Sequence, residues 1–128
     1  MTDVSLKRLD HVSLNVSDRP RSIEWYRDVL GLQPRGEAKQ DDWPVFLGEF
    51  GSCVALFQAQ SQTAERAPES VGLRHVAFMV AGTEDLEQAQ ARLREHDVEF
   101  RFEDHGSAHS VYFSDPDGNV LELTTYLR

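Results

Sequence analysis

Apolar and polar residues alternate in Leu9-Asp10-His11-Val12-Ser13-Leu14-Asn15-Val16 and again in Leu73-Arg74-His75-Val76-Ala77-Phe78-Met79-Val80, one strand pattern used twice with histidine at the same place. Each copy runs into a stretch of helical period. After the first, Ser17-Asp18-Arg19-Pro20 supplies a capping side chain and a first-turn proline. Ile23, Tyr26, Val29 and Leu30 then recur at helical spacing until Gly31 offers a left-handed stop, which predicts a helix to about residue 30. After the second copy, Thr83 reads as the cap, with Glu84 and Asp85 in the first turn. Leu86, Ala89 and Leu93 share one face, and Arg92, Arg94 and His96 lie at the end. Further strands are predicted at about 32–37, 44–49 and 52–59 in the first half and at 98–103, 109–114 and 119–126 in the second. The two histidine strands cover about 7–16 and 73–80. Gly51 and Asp115-Pro116-Asp117-Gly118 mark turns, and the polar stretch 60–70, with Pro68, reads as a linker.

Each half is thus strand, helix and three strands. Half a chain of this length makes a poor independent core, so the expected architecture is one α+β domain over residues 1–128. Two βαβββ modules, about 7–59 and 72–128, pair to form a cupped mixed sheet with the helices outside. Side chains alternate across a strand, which puts His11 with Ser13 and Asn15, and His75 with Ala77 and Met79, on the faces turned from the helices. Glu122 lies with Val120 and Thr124 on the matching face of the last strand, and Tyr112 with Ser110 and Ser114 on the one before. A carboxylate buried in a central strand costs several kcal/mol unless it meets a cation, a hydrogen-bond network or solvent. Two imidazoles and a carboxylate on one cup are the ingredients of a divalent metal site, so His11, His75 and Glu122 are the candidate ligands. His96 reads as a favourable cation at a helix end, whereas His105 and His109 flank a glycine-containing turn leading to Tyr112.

Composition narrows the partners. The 128 residues carry a formal charge of −9, which repels a phosphate backbone and an anionic bilayer and leaves a small molecule as the expected partner, with neither nucleic acid nor membrane. The longest apolar runs are far too short to span a bilayer, and Met1-Thr2-Asp3-Val4-Ser5 lacks the regions of a signal peptide, so a cytoplasmic location is expected. The single cysteine, Cys53, excludes an internal disulfide and reads as small apolar filler.

The chain resembles the vicinal oxygen chelate superfamily, which includes glyoxalase I, extradiol dioxygenases, fosfomycin-modifying transferases and bleomycin-binding resistance proteins. The resemblance rests on Leu9-Asp10-His11-Val12, the helix from Ser22 to Leu32, Arg74-His75-Val76 and the run from Val111 to Leu123. It implies a divalent metal held by His11, His75 and Glu122, with Fe(II) favoured and Mn(II), Ni(II) or Zn(II) as alternatives. It also implies a homodimer in which one subunit's His11 can join the other's His75 and Glu122. Aligning Gly51-Ser52-Cys53-Val54-Ala55-Leu56 with Gly118-Asn119-Val120-Leu121-Glu122-Leu123 puts Ala55 where glyoxalase I has a fourth, carboxylate ligand, which argues against the isomerase. Bleomycin-binding members generally lack the metal triad. Phe102 and Glu103 stand where the fosfomycin transferases would have a lysine. Asp104-His105-Gly106 and its spacing to Tyr112 resemble small extradiol dioxygenases, so the expected activity is an Fe(II) dioxygenase on a small catechol-like aromatic, with His105, or else His109, for proton transfer and Tyr112 as hydrogen-bond donor. A metal-dependent isomerase or thiol transferase and a non-catalytic binding protein are the alternatives.

Overall fold

The computed structural model describes residues 4–36, 42–49, 51–61 and 70–127. In chain order these form β1 (Val12–Val16), α1 (Arg19–Leu30), β2 (Val45–Glu49), β3 (Ser52–Gln58), β4 (Val76–Met79), α2 (Thr83–Glu95), β5 (Phe100–Asp104), β6 (Ala108–Ser114) and β7 (Val120–Tyr126). The strands build two mixed sheets, β1-β3-β2 and β4-β7-β6-β5, each with a parallel pair (β1 with β3, β4 with β7) and antiparallel neighbours.

Helix α1 starts where the sequence places it. The Asp18 carboxylate accepts a 3.2 Å hydrogen bond from the Arg21 backbone N–H, Pro20 occupies the first turn, and Gly31 closes the helix in the left-handed conformation. At α2 the expectation fails by one residue: Thr83 is already helical, and Gly82 is the cap with no side-chain bond. Both histidine strands are shorter than alternation predicts, beginning at Val12 and Val76, where their pairing with Val54 and Leu121 begins. The strand expected at 32–37 reduces to a bridge between Pro34 and Leu47. It is held by the Arg35 N–H donating to the Phe46 carbonyl and the Gly48 N–H donating to the Gln33 carbonyl; residue 37 lies outside the described residues, as do 62–69 of the expected linker.

Leu14, Val16, Val45, Leu47, Val54 and Leu56 of one sheet, and Val111, Phe113, Leu121 and Leu123 of the other, join Tyr26, Val29, Leu86 and Leu93 of the helices in one buried cluster. Each sheet therefore spends one face on a shared core; the other face carries Ser13, Phe46 and Ala55 in the first sheet and Tyr112, Glu122 and Thr124 in the second. Two contacts tie the halves together at the polar margin: the Tyr26 hydroxyl donates to Asp115 Oδ2 at 2.6 Å, and the Ser17 N–H donates to Asp117 Oδ2 at 3.2 Å. Among the described residues no helix is long and apolar enough to cross a membrane.

Candidate functional site

Register assembles the site on the polar face of the second sheet. Glu122 pairs with Ala77 across the parallel ladder and with Tyr112 across the antiparallel one, and Tyr112 pairs in turn with Arg101. Glu122 is only 8% exposed, yet both its oxygens are engaged. Oε1 lies 3.0 Å from His75 Nε2, and Oε2 accepts a 2.7 Å hydrogen bond from the Ser110 hydroxyl. Thr124 extends the network: its Oγ1 is 2.9 Å from Ser110 Oγ, and its hydroxyl donates to the His109 carbonyl at 3.3 Å. These partners offset the desolvation cost of the carboxylate.

Tyr112 meets the His75 ring edge-on, with centroids 5.9 Å apart, and its hydroxyl is 3.2 Å from His105 Nε2. Partial loss of solvent, reinforced by the negative charges of Glu122 and Glu103, raises the Tyr112 pKa above the ordinary tyrosine value. Its hydroxyl thus keeps its proton at neutral pH. His105 Nε2 also lies 3.6 Å from Glu103 Oε2, while Glu103 Oε1 accepts a 2.6 Å hydrogen bond from Arg101 Nε. The Arg101 guanidinium sits 5.0 Å from the centre of the Tyr112 ring. A cavity of about 530 Å³ opens here, with Arg74, His75, Arg101, Glu103 and Tyr112 among its walls. His109 is directed elsewhere: it follows the opposite alternation from Tyr112 on β6, with Nε2 3.5 Å from Asp104 Oδ2 and its ring edge-on to Phe102.

His11 stands on the other module, immediately before β1. Its Nδ1 is 2.7 Å from Asp10 Oδ2, and its ring is edge-on to Phe46 at 5.2 Å. Among the described residues no three His, Cys, Asp or Glu side chains gather closely enough to hold a metal. One chain thus brings His75 and Glu122 together with Tyr112 and His105, and leaves His11 apart. The pair itself suits a divalent cation: imidazole nitrogen and carboxylate oxygen are adjacent, and the second carboxylate oxygen is held by Ser110, as outer hydrogen bonds commonly orient ligands.

The internal repeat persists at this level. In the first sheet Ser13 pairs with Ala55 and Ala55 with Phe46, while the Arg35 N–H donates to the Phe46 carbonyl and its guanidinium lies 5.7 Å from the Phe46 ring. The row Arg35-Phe46-Ala55 repeats Arg101-Tyr112-Glu122, and His11 meets Phe46 as His75 meets Tyr112. Ala55 is therefore the positional counterpart of Glu122, with a methyl in place of the carboxylate. Sequence reasoning assigned no part to Ser110, Arg101 or Glu103. For Arg101 and Glu103 the signal is the alternation through 101–103, legible only once β5 is paired with β6; Ser110 already lies on the Tyr112 face, and its role follows from the pairing of β6 with β7.

Comparison with known proteins agrees with this architecture. Residues 8–123 match the family model for the Glyoxalase/Bleomycin resistance protein/Dioxygenase superfamily. The chain is 37% identical over 120 residues to a biphenyl-2,3-diol 1,2-dioxygenase 3 of Rhodococcus globerulus, covering 91% of this chain but 62% of that protein. It thus spans about three fifths of the dioxygenase's length. Glutathione transferase FosA of Serratia marcescens is 30% identical over 118 residues, with 92% of this chain and 80% of that protein covered. Among solved structures, a glyoxylase/bleomycin resistance protein/dioxygenase domain from Frankia sp. EAN1pec superposes with a TM-score of 0.82 at 26% identity, covering 96% of this chain and all of that one. With its repeated modules, its paired sheets and a family match over nearly its whole length, the chain belongs to the glyoxalase/bleomycin resistance protein/dioxygenase superfamily.

Proposed function

We propose that the protein is an Fe(II)-dependent extradiol-type dioxygenase acting on a small catechol-like aromatic, and that it works as a homodimer in which His11 of one protomer joins His75 and Glu122 of the other. The observation that carries this reading is the conjunction on one sheet face of the His75–Glu122 pair, at 3.0 Å, with the Tyr112–His105 pair, at 3.2 Å. When bound, Fe(II) would supply the redox chemistry with dioxygen that a side chain cannot, and three protein ligands would leave room for substrate.

The chain's own residues supply the rest. Ser110 holds one oxygen of Glu122 and so orients the other toward His75. Tyr112, protonated at neutral pH, donates a hydrogen bond to a substrate oxygen. His105 accepts or returns a substrate proton at Nε2, and Glu103 steadies that ring from the side. A cavity of about 530 Å³ suits a single-ring substrate.

The test is oxygen uptake and the absorbance of ring-cleaved product from Fe(II)-loaded protein and a panel of simple catechols. Product formation matched to oxygen consumption is expected. Turnover with Zn(II) in the absence of oxygen would overturn the reading. A second reading, a metal-dependent thiol transferase, is favoured by one observation: the match to FosA covers 80% of that relative, against 62% of the dioxygenase. It predicts thiol addition without oxygen uptake, best with Mn(II), Ni(II) or Zn(II).

A further inference from the structure

Cationic groups are scarce in this chain, 13 Lys and Arg against 22 Asp and Glu, and where they lie is informative. On the helix surface Arg27 is neutralised by Asp28 and Glu24. In the cavity over Tyr112 the two signs are equal in number, Arg74 and Arg101 against Glu103 and Asp117. Among the described residues Arg74 makes no hydrogen bond or ion pair, although it stands on the wall beside His75. Arg101 engages Glu103 through Nε alone. Its guanidinium carbon lies 5.0 Å from the centre of the Tyr112 ring, and its two terminal nitrogens make no hydrogen bond to any described residue. The acidic groups of the same wall are already used: Glu103 by Arg101 and His105, Asp117 by the Ser17 N–H.

A guanidinium fork with free terminal N–H groups matches the planar or tetrahedral oxygens of an oxyanion, and stacking on an aromatic ring fixes the fork's orientation. We infer that the ligand of this cavity is an aromatic bearing an oxyanion, a carboxylate or a phosphonate, held by Arg74 and Arg101 while its ring lies against Tyr112 and His75. This rests on reading the Tyr112–Glu122 face as the substrate site, and it adds the substrate's charge to that reading.

The experiment is titration calorimetry of the native, metal-free protein under chelator with catechol, 3,4-dihydroxybenzoate and 3,4-dihydroxyphenylphosphonate. At least one anionic compound is expected to bind about tenfold more tightly than catechol, with a preference that shrinks as salt rises, and the tighter of the two identifies the oxyanion. Arg74→Gln with Arg101→Gln should bring the preference to about twofold or less, and Arg101→Lys, which keeps the charge without the fork, should retain part of it. Thermal melting of each variant checks that the fold is intact. Equal affinities in the wild type, no binding of any of the three compounds, or a preference that survives in the double variant would overturn the inference. Because neither metal nor dioxygen takes part, an anion preference in a protein that cleaves no catechol would count against the dioxygenase reading alone. Ring cleavage with no anion preference would count against this inference alone.

Discussion

The hydroxyl of Tyr26 donates a 2.6 Å hydrogen bond to Asp115 Oδ2, joining the first helix of one module to the turn that leads into the Glu122 strand of the other. Asp115 is 5% exposed and Tyr26 fully buried. The carboxylate also accepts from the backbone N–H groups of Asp117 and Asn119 and from the Asn119 amide. Tyr26→Phe removes one of several partners, so a loss of about 1–2 kcal/mol in urea denaturation is expected. Burial, and then the charge of Asp115 and its hydrogen bond, raise the Tyr26 pKa far above the ordinary tyrosine value. A tyrosine freed by unfolding ionises near pH 10. The stability tied to the protonated hydroxyl is therefore complete below about pH 10 and declines above it. Wild-type stability should fall more steeply than that of Tyr26→Phe as pH rises past about 10.

Ser110 is the neighbour that fixes the candidate carboxylate ligand. Without its 2.7 Å hydrogen bond, Glu122 can rotate and its second oxygen loses a buried partner. Ser110→Ala should weaken divalent-metal binding by about 10- to 100-fold, the range typical of partners that orient metal ligands. Glu122→Ala should abolish it. An anaerobic titration with Fe(II), Mn(II), Ni(II) and Zn(II) measures both. Equal affinity in wild type and Glu122→Ala would remove Glu122 from the ligand set.

Gly48 tests the backbone of the first sheet. Its φ of +98° lies where side chains are disfavoured, and a Cβ there would come within 2.1 Å of the Ser52 carbonyl oxygen. Because the obstacle is backbone at the β2–β3 connection, it cannot swing aside. Gly48→Ala should cost about 2–4 kcal/mol, seen as a lower denaturation midpoint with an unchanged slope.

Local signals in this chain were legible because their causes are local. Asp18 and Gly31 bound α1 through contacts within a few residues, and alternation put His75, Tyr112 and Glu122 on one face before any pairing was known. The alignment of Ala55 with Glu122 also agrees with the sheet registers, since both residues pair two positions beyond their module's histidine. What depends on partners distant in sequence was not legible. Tyr26 reads as one more apolar position on a helix face, and only the fold reveals an acceptor 89 residues away. Ser110, Arg101 and Glu103 gain their roles from the pairing of β5, β6 and β7. The strand expected at 32–37 is a related case, since only a bridge between Pro34 and Leu47 forms against β2.

The separation of His11 from His75 and Glu122 within one chain makes the proposed dimer testable by mixing. Consider His11→Ala and Glu122→Ala subunits, each expected to be inactive alone. If every site takes His11 from one protomer and the other two ligands from its partner, a mixed dimer has one site with both lesions and one with none. Equal amounts of the two subunits, allowed to exchange freely, place half the dimers in the mixed form, so roughly one quarter of wild-type high-affinity metal sites should return. Sites built within a single chain would return none, because each chain carries its own lesion. Metal stoichiometry of the refolded mixture reads the difference directly, and a mixture as empty as its parents would exclude the shared site.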